Sequence, residues 1–194
     1  MGLALYGKLP ALGDFVGRGL AGADREAIDA WLAEGLMRLQ QRSERWLEPY
    51  LVSPVWQFVI PAGRLCEQAV AGALMPSVDR VGRYFPLFVA FALPMPLQRG
   101  ALVRDLGQLA RTLPSALHEG LDPDRLLARI DGLLPALWPD GEPGPDGEQM
   151  LAGFQPEGPL SLWWSLPGPS APFRFLRHRG RCDAELFVSL FEGG

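Results

Sequence analysis

Lysine is nearly absent from this chain. Lys8 is the single lysine among 18 basic residues, so 17 are arginine. Histidine and cysteine are almost as scarce, with two of each. His118 and His178 have no carboxylate or cysteine at metal-ligand spacing, and Cys66 and Cys182 match no metal motif. Two buried or half-buried thiols are the expectation there, not a disulfide. No Walker sequence follows a glycine loop and no G-x-S-x-G elbow occurs, which removes the commonest phosphate-binding and hydrolase signatures. A formal charge of −4 gives no basic face of the kind nucleic acid requires. The longest apolar run, Leu87 to Leu97, is interrupted by Pro94 and Pro96 and is too short for a bilayer. The first residues carry no basic n-region, so a cytoplasmic protein without a signal peptide is expected.

What remains describes an ordinary folded protein. Its 194 residues are 48% hydrophobic and 21% charged, which suits one domain over 1–194. A chain of this size buries roughly 70% of its unfolded surface. The 23 glycines and 19 prolines imply many connections between short elements.

Apolar spacing places those elements. Leu3 to Leu9 reads as a strand, and Ala11 to Ala23 as a glycine-punctuated loop. Asp24 is positioned to cap a helix whose apolar face is Ile28, Trp31, Leu32, Leu36 and Leu39. Ser43 to Leu51 continues or restarts it, burying Trp46, Leu47, Tyr50 and Leu51. Val55 to Ile60, Cys66 to Leu74 and Leu87 to Leu93 read as strands, the last apolar on both faces. Helices follow over Ala101 to Leu117, with Pro114 a break point, and from Asp122-Pro123. Pro139 to Pro159 reads as a long Gly/Pro/acid loop. Leu160 to Leu166 and Phe173 to His178 read as late strands, and Asp183 caps a final helix. Helices beside apolar strands predict an α/β domain with helices on both sheet faces and a mixed, partly antiparallel sheet.

Two segments hold more chemistry than a turn requires. Pro76-Ser77-Val78-Asp79-Arg80-Val81-Gly82-Arg83-Tyr84-Phe85-Pro86-Leu87 sets three charges and two aromatics between apolar runs. Asp79 paired with an arginine would pin the loop. The same arginines with Tyr84 would equally suit a recognition surface. Tyr6 to Phe15 contains Lys8 and Asp14, to which the same two readings apply. Base composition explains the arginines; Lys8 points instead to a position that needs an ammonium. Gly17-Arg18-Gly19-Leu20-Ala21-Gly22 matches G-x-G-x-x-G, but Pro10 ends the strand too early for a dinucleotide turn. No cofactor is expected. The pair Trp163 and Trp164 would face opposite sides of a strand, and an exposed one would mark a contact site.

Tyr6-Gly7-Lys8-Leu9-Pro10 with Gly13-Asp14-Phe15, the run from Trp46 to Phe58, the Gly72 to Leu87 segment, and Ser161-x-Trp163-Trp164-Ser165 resemble the TagF family, also called ImpM or the BMA_A0400 family. The resemblance covers most of the first half and a patch near the end. It implies a three-layer α/β/α sandwich and a cytoplasmic accessory protein of the bacterial type VI secretion system. Family members act as post-translational repressors, associated with the forkhead-associated scaffold protein Fha. Some are fused to a PppA-type phosphatase, for which these 194 residues leave no room, so any enzymatic part is expected on another protein. No catalytic residue is implied. The alternative from the residues alone is a domain responsive to an anion or nucleotide, held by Lys8 and Arg83 near the Gly13–Gly22 loop.

Overall fold

The computed structural model describes residues 2–133, 145–168 and 172–192. Seven strands form one sheet: β1 (Ala4–Gly7), β2 (Val16–Arg18), β3 (Trp56–Ile60), β4 (Val70–Met75), β5 (Leu87–Ala92), β6 (Leu160–Ser165) and β7 (Phe175–Arg179). Their spatial order is β2-β1-β5-β4-β3-β6-β7. The helices are α1 (Gly22–Arg42), α2 (Leu47–Val52), α3 (Arg99–Thr112), α4 (Ser115–His118), α5 (Pro123–Asp131), α6 (Pro145–Met150) and α7 (Ala184–Phe191).

Every strand pair in this sheet is antiparallel, which corrects the mixed sheet expected from the sequence. Helices do connect strands, but the strands they connect are not neighbours: α1 and α2 lead from β2 to β3, and α3 to α6 lead from β5 to β6. A helical crossover forces parallel pairing only between adjacent strands. The central strands β3, β4 and β5 are nonetheless buried along almost their whole length, so their apolar runs look like those of a parallel sheet.

Strand alternation divides the core in two. Trp56, Phe58, Phe88 and Trp163 meet Ile28, Trp31 and Leu32 of α1 and Phe187 and Phe191 of α7. Val59, Val89, Phe91 and Trp164 meet Leu102, Leu106 and Leu109 of α3 and Leu126 and Ile130 of α5. The eight residues of α7 are too few to be helical alone. Five of them are buried, each worth about 1.5–3 kcal/mol when fully withdrawn from water. The Trp31 and Trp56 indoles also donate to the Asp183 and Leu190 carbonyls at 2.9 and 3.0 Å. Asp183 caps α7 through the Leu186 N–H (2.8 Å), as the sequence predicts, and α5 starts at Pro123 as expected, with Asp122 capping it through the Asp124 and Arg125 N–H groups.

Other expectations change. The Ala11–Ala23 loop contains β2, which pairs with β1 from Leu5↔Arg18 to Gly7↔Val16. Three residues are too few to show a period of two. Gly17 and Arg18 are therefore strand residues, and the chain runs from β2 through Gly19 (φ +70°) into α1, so the early strand end expected at Pro10 is corrected; β2 is an antiparallel strand at the end of the sheet, not the parallel strand of a dinucleotide fold. Helix α1 begins at Gly22 with Ala21 at its cap, so Asp24 lies inside the first turn and accepts from the Glu67 N–H at 2.9 Å. The strand placed at Cys66 begins at Val70. Leu51 is exposed. Within the predicted loop from Pro139 to Pro159, residues 145–150 are helix α6, and Leu151 and Phe154 beyond it are buried; residues 139–144 lie outside the described residues. Pro114 does end α3, and α4 follows as a separate turn. Among the described residues no helix is long and apolar enough to cross a membrane.

Candidate functional site

The Pro76–Leu87 segment joins β4 to β5 as a small folded hairpin. Val78 bridges Tyr84, the Asp79 N–H donates to the Arg83 carbonyl (3.1 Å), and the Phe85 N–H donates to the Ser77 carbonyl (3.1 Å). Gly82 turns the chain at φ +86°, a conformation that side chains disfavour. Two neighbours fix the base. The Tyr50 hydroxyl donates to the Ser77 carbonyl (3.3 Å) and accepts from its N–H (3.1 Å), while Ser77 Oγ donates to the Lys8 carbonyl (2.7 Å). Burial pushes the Tyr50 phenol well above its usual range, which keeps the proton this bridge needs.

Asp79 is the centre of the arrangement. Its side chain is fully buried, and that of Lys8 is 6% exposed. Oδ1 accepts from the Val81 and Arg83 N–H groups at 3.0 and 2.9 Å. Oδ2 meets Lys8 Nζ at 3.0 Å and Arg83 Nε at 2.7 Å. Burial alone raises the Asp79 pKa. The Arg83 N–H, the Lys8 ammonium, the Arg83 guanidinium and the Val81 N–H together outweigh it and hold the carboxyl well below the usual carboxylate range. The other end of the Arg83 fork donates to the Gly13 carbonyl, and the Arg80 N–H donates to the Leu12 carbonyl, so the β1–β2 connection is tied to the same loop.

The tie extends through aromatic contacts. Lys8 Nζ lies 4.8 Å from the centre of the Phe15 ring, which meets Phe85 edge-on at 4.8 Å and stacks on Tyr6 at 6.0 Å. Gly7 sits at φ +136° where a Cβ would stand 2.0 Å from the Pro86 carbonyl oxygen, so only glycine lets β1 approach the loop's exit.

The structure thus brings together Lys8, Asp79, Arg83 and Tyr84, with Arg80 on the same hairpin. Arg80 and Val81 face solvent, and among the described residues Arg80 has no carboxylate partner. Asp14 is exposed and accepts from the Phe15 N–H (2.8 Å); its side chain does not join the Asp79 cluster. Trp164 is 1% exposed in the core beneath α3, and Trp163 is fully buried on the opposite face, so neither presents a contact surface. Both cations offered for anion binding, Lys8 and Arg83, already hold Asp79. Among the described residues no three His, Cys, Asp or Glu side chains converge as a metal site.

Beside the hairpin lies an apolar groove of about 200 Å³, lined by Leu51, Val55, Met75, Val78, Tyr84 and Leu117 among others. Tyr84 forms its wall and rests edge-on against Trp46 and Tyr50, both at 6.3 Å. Sequence reasoning misses this groove because its residues come from α2, the α2–β3 connection, β4, the hairpin and α4. The one signal in the sequence is the excess of apolar and aromatic residues on either side of Pro54 and Pro76.

Comparison with family models matches residues 4–137 to the TagF N-terminal domain, described as type VI secretion system-associated. That span includes the β1–β2 connection and the whole 76–87 hairpin. No curated protein matches. Among solved structures, the crystal structure of PA0076 from Pseudomonas aeruginosa PAO1 superposes with a TM-score of 0.76 at 31% identity, over 100% of this chain and 96% of that one. The family match, the fold agreement and the paired motifs lead to one assignment: this chain belongs to the TagF family of type VI secretion system-associated proteins.

Proposed function

We propose that this protein is a cytoplasmic, non-enzymatic accessory regulator of the type VI secretion system, which represses assembly by holding a partner protein. An Fha-type scaffold is the partner we assign. We also take the helices over the two sheet faces, α1 with α7 and α3 with α5, as the outer layers of a three-layer sandwich. The observation that carries the reading is the 76–87 hairpin: a buried carboxylate with four donors makes it rigid, and it presents Arg80, Val81 and one edge of Tyr84 beside an apolar groove. A preorganised loop loses little freedom on binding, and an arginine–tyrosine rim around an apolar pocket is the usual composition of an interface hot spot. Sequestration needs only affinity for the free partner.

Asp79 and Arg83 hold the hairpin itself, so replacing them disturbs fold and interface together. Arg80→Glu and Val81→Asp alter only the solvent-facing tip. Calorimetric titration against purified Fha-type scaffold is expected to show saturable binding by the native chain, weakened at least about tenfold in the double variant. Equal affinity with an unchanged thermal midpoint would move the interface elsewhere. Binding that is absent even for the native chain would remove Fha as the partner.

A further inference from the structure

The sheet has two edges, and they differ. β2 is three residues long and lies at one end. Short edge strands are a common way to prevent pairing with another chain. β7, at the other end, has five residues in the sequence Phe-Leu-Arg-His-Arg, and among the described residues nothing pairs with its outer side.

The hydrogen-bond phase shows which backbone groups face outward. The Ser165 N–H donates to the Arg174 carbonyl and the Gly180 N–H to the Pro159 carbonyl, each at 3.0 Å. With the register Leu160↔Arg179 to Trp164↔Phe175, the residues bonded to β6 are Arg174, Leu176, His178 and Gly180. The N–H and C=O groups of Phe175, Arg177 and Arg179 therefore point away from the sheet. Their side chains share one face and are exposed, whereas Leu176 and His178 turn to the other face and are half-buried. Phe173 and Phe175 stack at 6.5 Å, and the Arg177 guanidinium lies 5.6 Å from the Phe175 ring centre. Among the described residues neither Arg177 nor Arg179 has a carboxylate partner, although the chain as a whole is acidic.

We propose that β7 is a strand-addition site for an acidic extended segment of a partner protein, separate from the 76–87 hairpin. The added strand would carry acidic residues opposite Arg177 and Arg179 and an apolar residue opposite Phe175, and would exchange backbone hydrogen bonds with these three residues. Charge complementarity selects this occupant over a second copy of the chain. The antiparallel self-pairing that uses all three outward residues sets Arg177 against Arg177, a directly opposed like-charge pair.

The probe is the labelled peptide Thr-Glu-Thr-Glu-Thr-Leu-Thr, with a Lys-for-Glu version and a single-stranded oligothymidylate as competitors. At low salt the acidic peptide is expected to bind and the lysine version not to. Reversing both charges (Arg177→Glu with Arg179→Glu) should weaken binding about tenfold, because two attractive cross-strand pairs become repulsive. Arg177→Pro removes an outward N–H without touching the bonds to β6, so it should bind several-fold more weakly than Arg177→Ala. Hydrogen exchange on the native chain gives an independent reading: the peptide should slow the amides of Phe175, Arg177 and Arg179 and leave those of Leu176 and His178 unchanged. Unaltered exchange, equal binding of the lysine peptide, identical behaviour of the Ala and Pro variants, tighter binding of the oligonucleotide, or dimerisation through β7 would each overturn the proposal. None of these outcomes bears on the hairpin reading, which the Arg80 and Val81 variants test.

Discussion

Replacing Lys8 by methionine isolates what the lone ammonium contributes. Asp79 is withdrawn from water and balanced by two backbone N–H groups, Lys8 and Arg83. Methionine keeps the unbranched stem and removes one charge-assisted bond, and such bonds contribute about 1.5–3 kcal/mol. In a chain of this length each kcal/mol moves the thermal midpoint by about 2–4 °C, so Lys8→Met should lower it by roughly 3–12 °C at neutral pH. Lys8→Arg should not restore it, because the larger guanidinium must share Oδ2 with Arg83 Nε in a filled space beside Phe15. The pH dependence follows from the same carboxylate. The Asp79 pKa lies below its ordinary value of 3.8 in the folded chain, so its contribution is complete above about pH 4 and is lost as pH falls towards the folded value. The native chain should therefore lose stability steeply below pH 4, and Lys8→Met less steeply. Thermal unfolding followed by circular dichroism from pH 2 to pH 7 reads both quantities. A midpoint within a degree of native at neutral pH, or parallel pH curves, would refute the reasoning.

Three further outcomes are expected. Gly35 of α1 faces α7, where a Cβ would stand 2.2 Å from Phe187 Cγ; Gly35→Ala should therefore lower stability by about 1–2 kcal/mol in urea titration, overpacking outweighing the usual helix gain. Burial pushes the Cys66 thiol up to about 12 and raises Cys182 as well, so an aromatic disulfide reagent at pH 8 should react slowly with both until the chain is unfolded. Asp105 of α3 is buried without a hydrogen bond, Arg104 Nε standing 3.7 Å away, and burial raises its pKa. Burial penalises its ionised form, a cost absent below the ordinary carboxylate range and growing as pH rises above it, so Asp105→Asn should gain thermal stability at pH 7 and gain nothing at pH 3.

What the sequence reveals depends on how local the determinant is. The cap Asp183, the helix start at Asp122-Pro123, the apolar stripe of α1 and the break at Pro114 all lie within a few residues of what they control, and each is found where the residues predict it. Strand direction is different. Nothing in the Leu87–Leu93 run states which strand lies beside it, and the antiparallel order emerges only when β1 comes between β2 and β5. At the site, the excess of charge around Asp79 is legible, as is the oddity of Lys8. Their partnership is not, because 70 residues separate them and either could have met another ion. Trp164 shows the opposite failure: an unusual pair of residues draws attention, yet its position on a strand covered on both faces makes both rings core. The outer side of β7, unpaired among the described residues, is invisible in sequence, since exposure of an edge depends on which strands lie beside it.

The central claim is that this TagF protein acts through the exposed tip of a rigid hairpin and not through chemistry. The most direct test is repression in the bacterium, read as effector released into the medium by the type VI apparatus. Overproduced native chain should suppress release, and the Arg80→Glu, Val81→Asp double variant, at equal abundance and equal thermal midpoint, should not. Full suppression by the double variant would contradict the account.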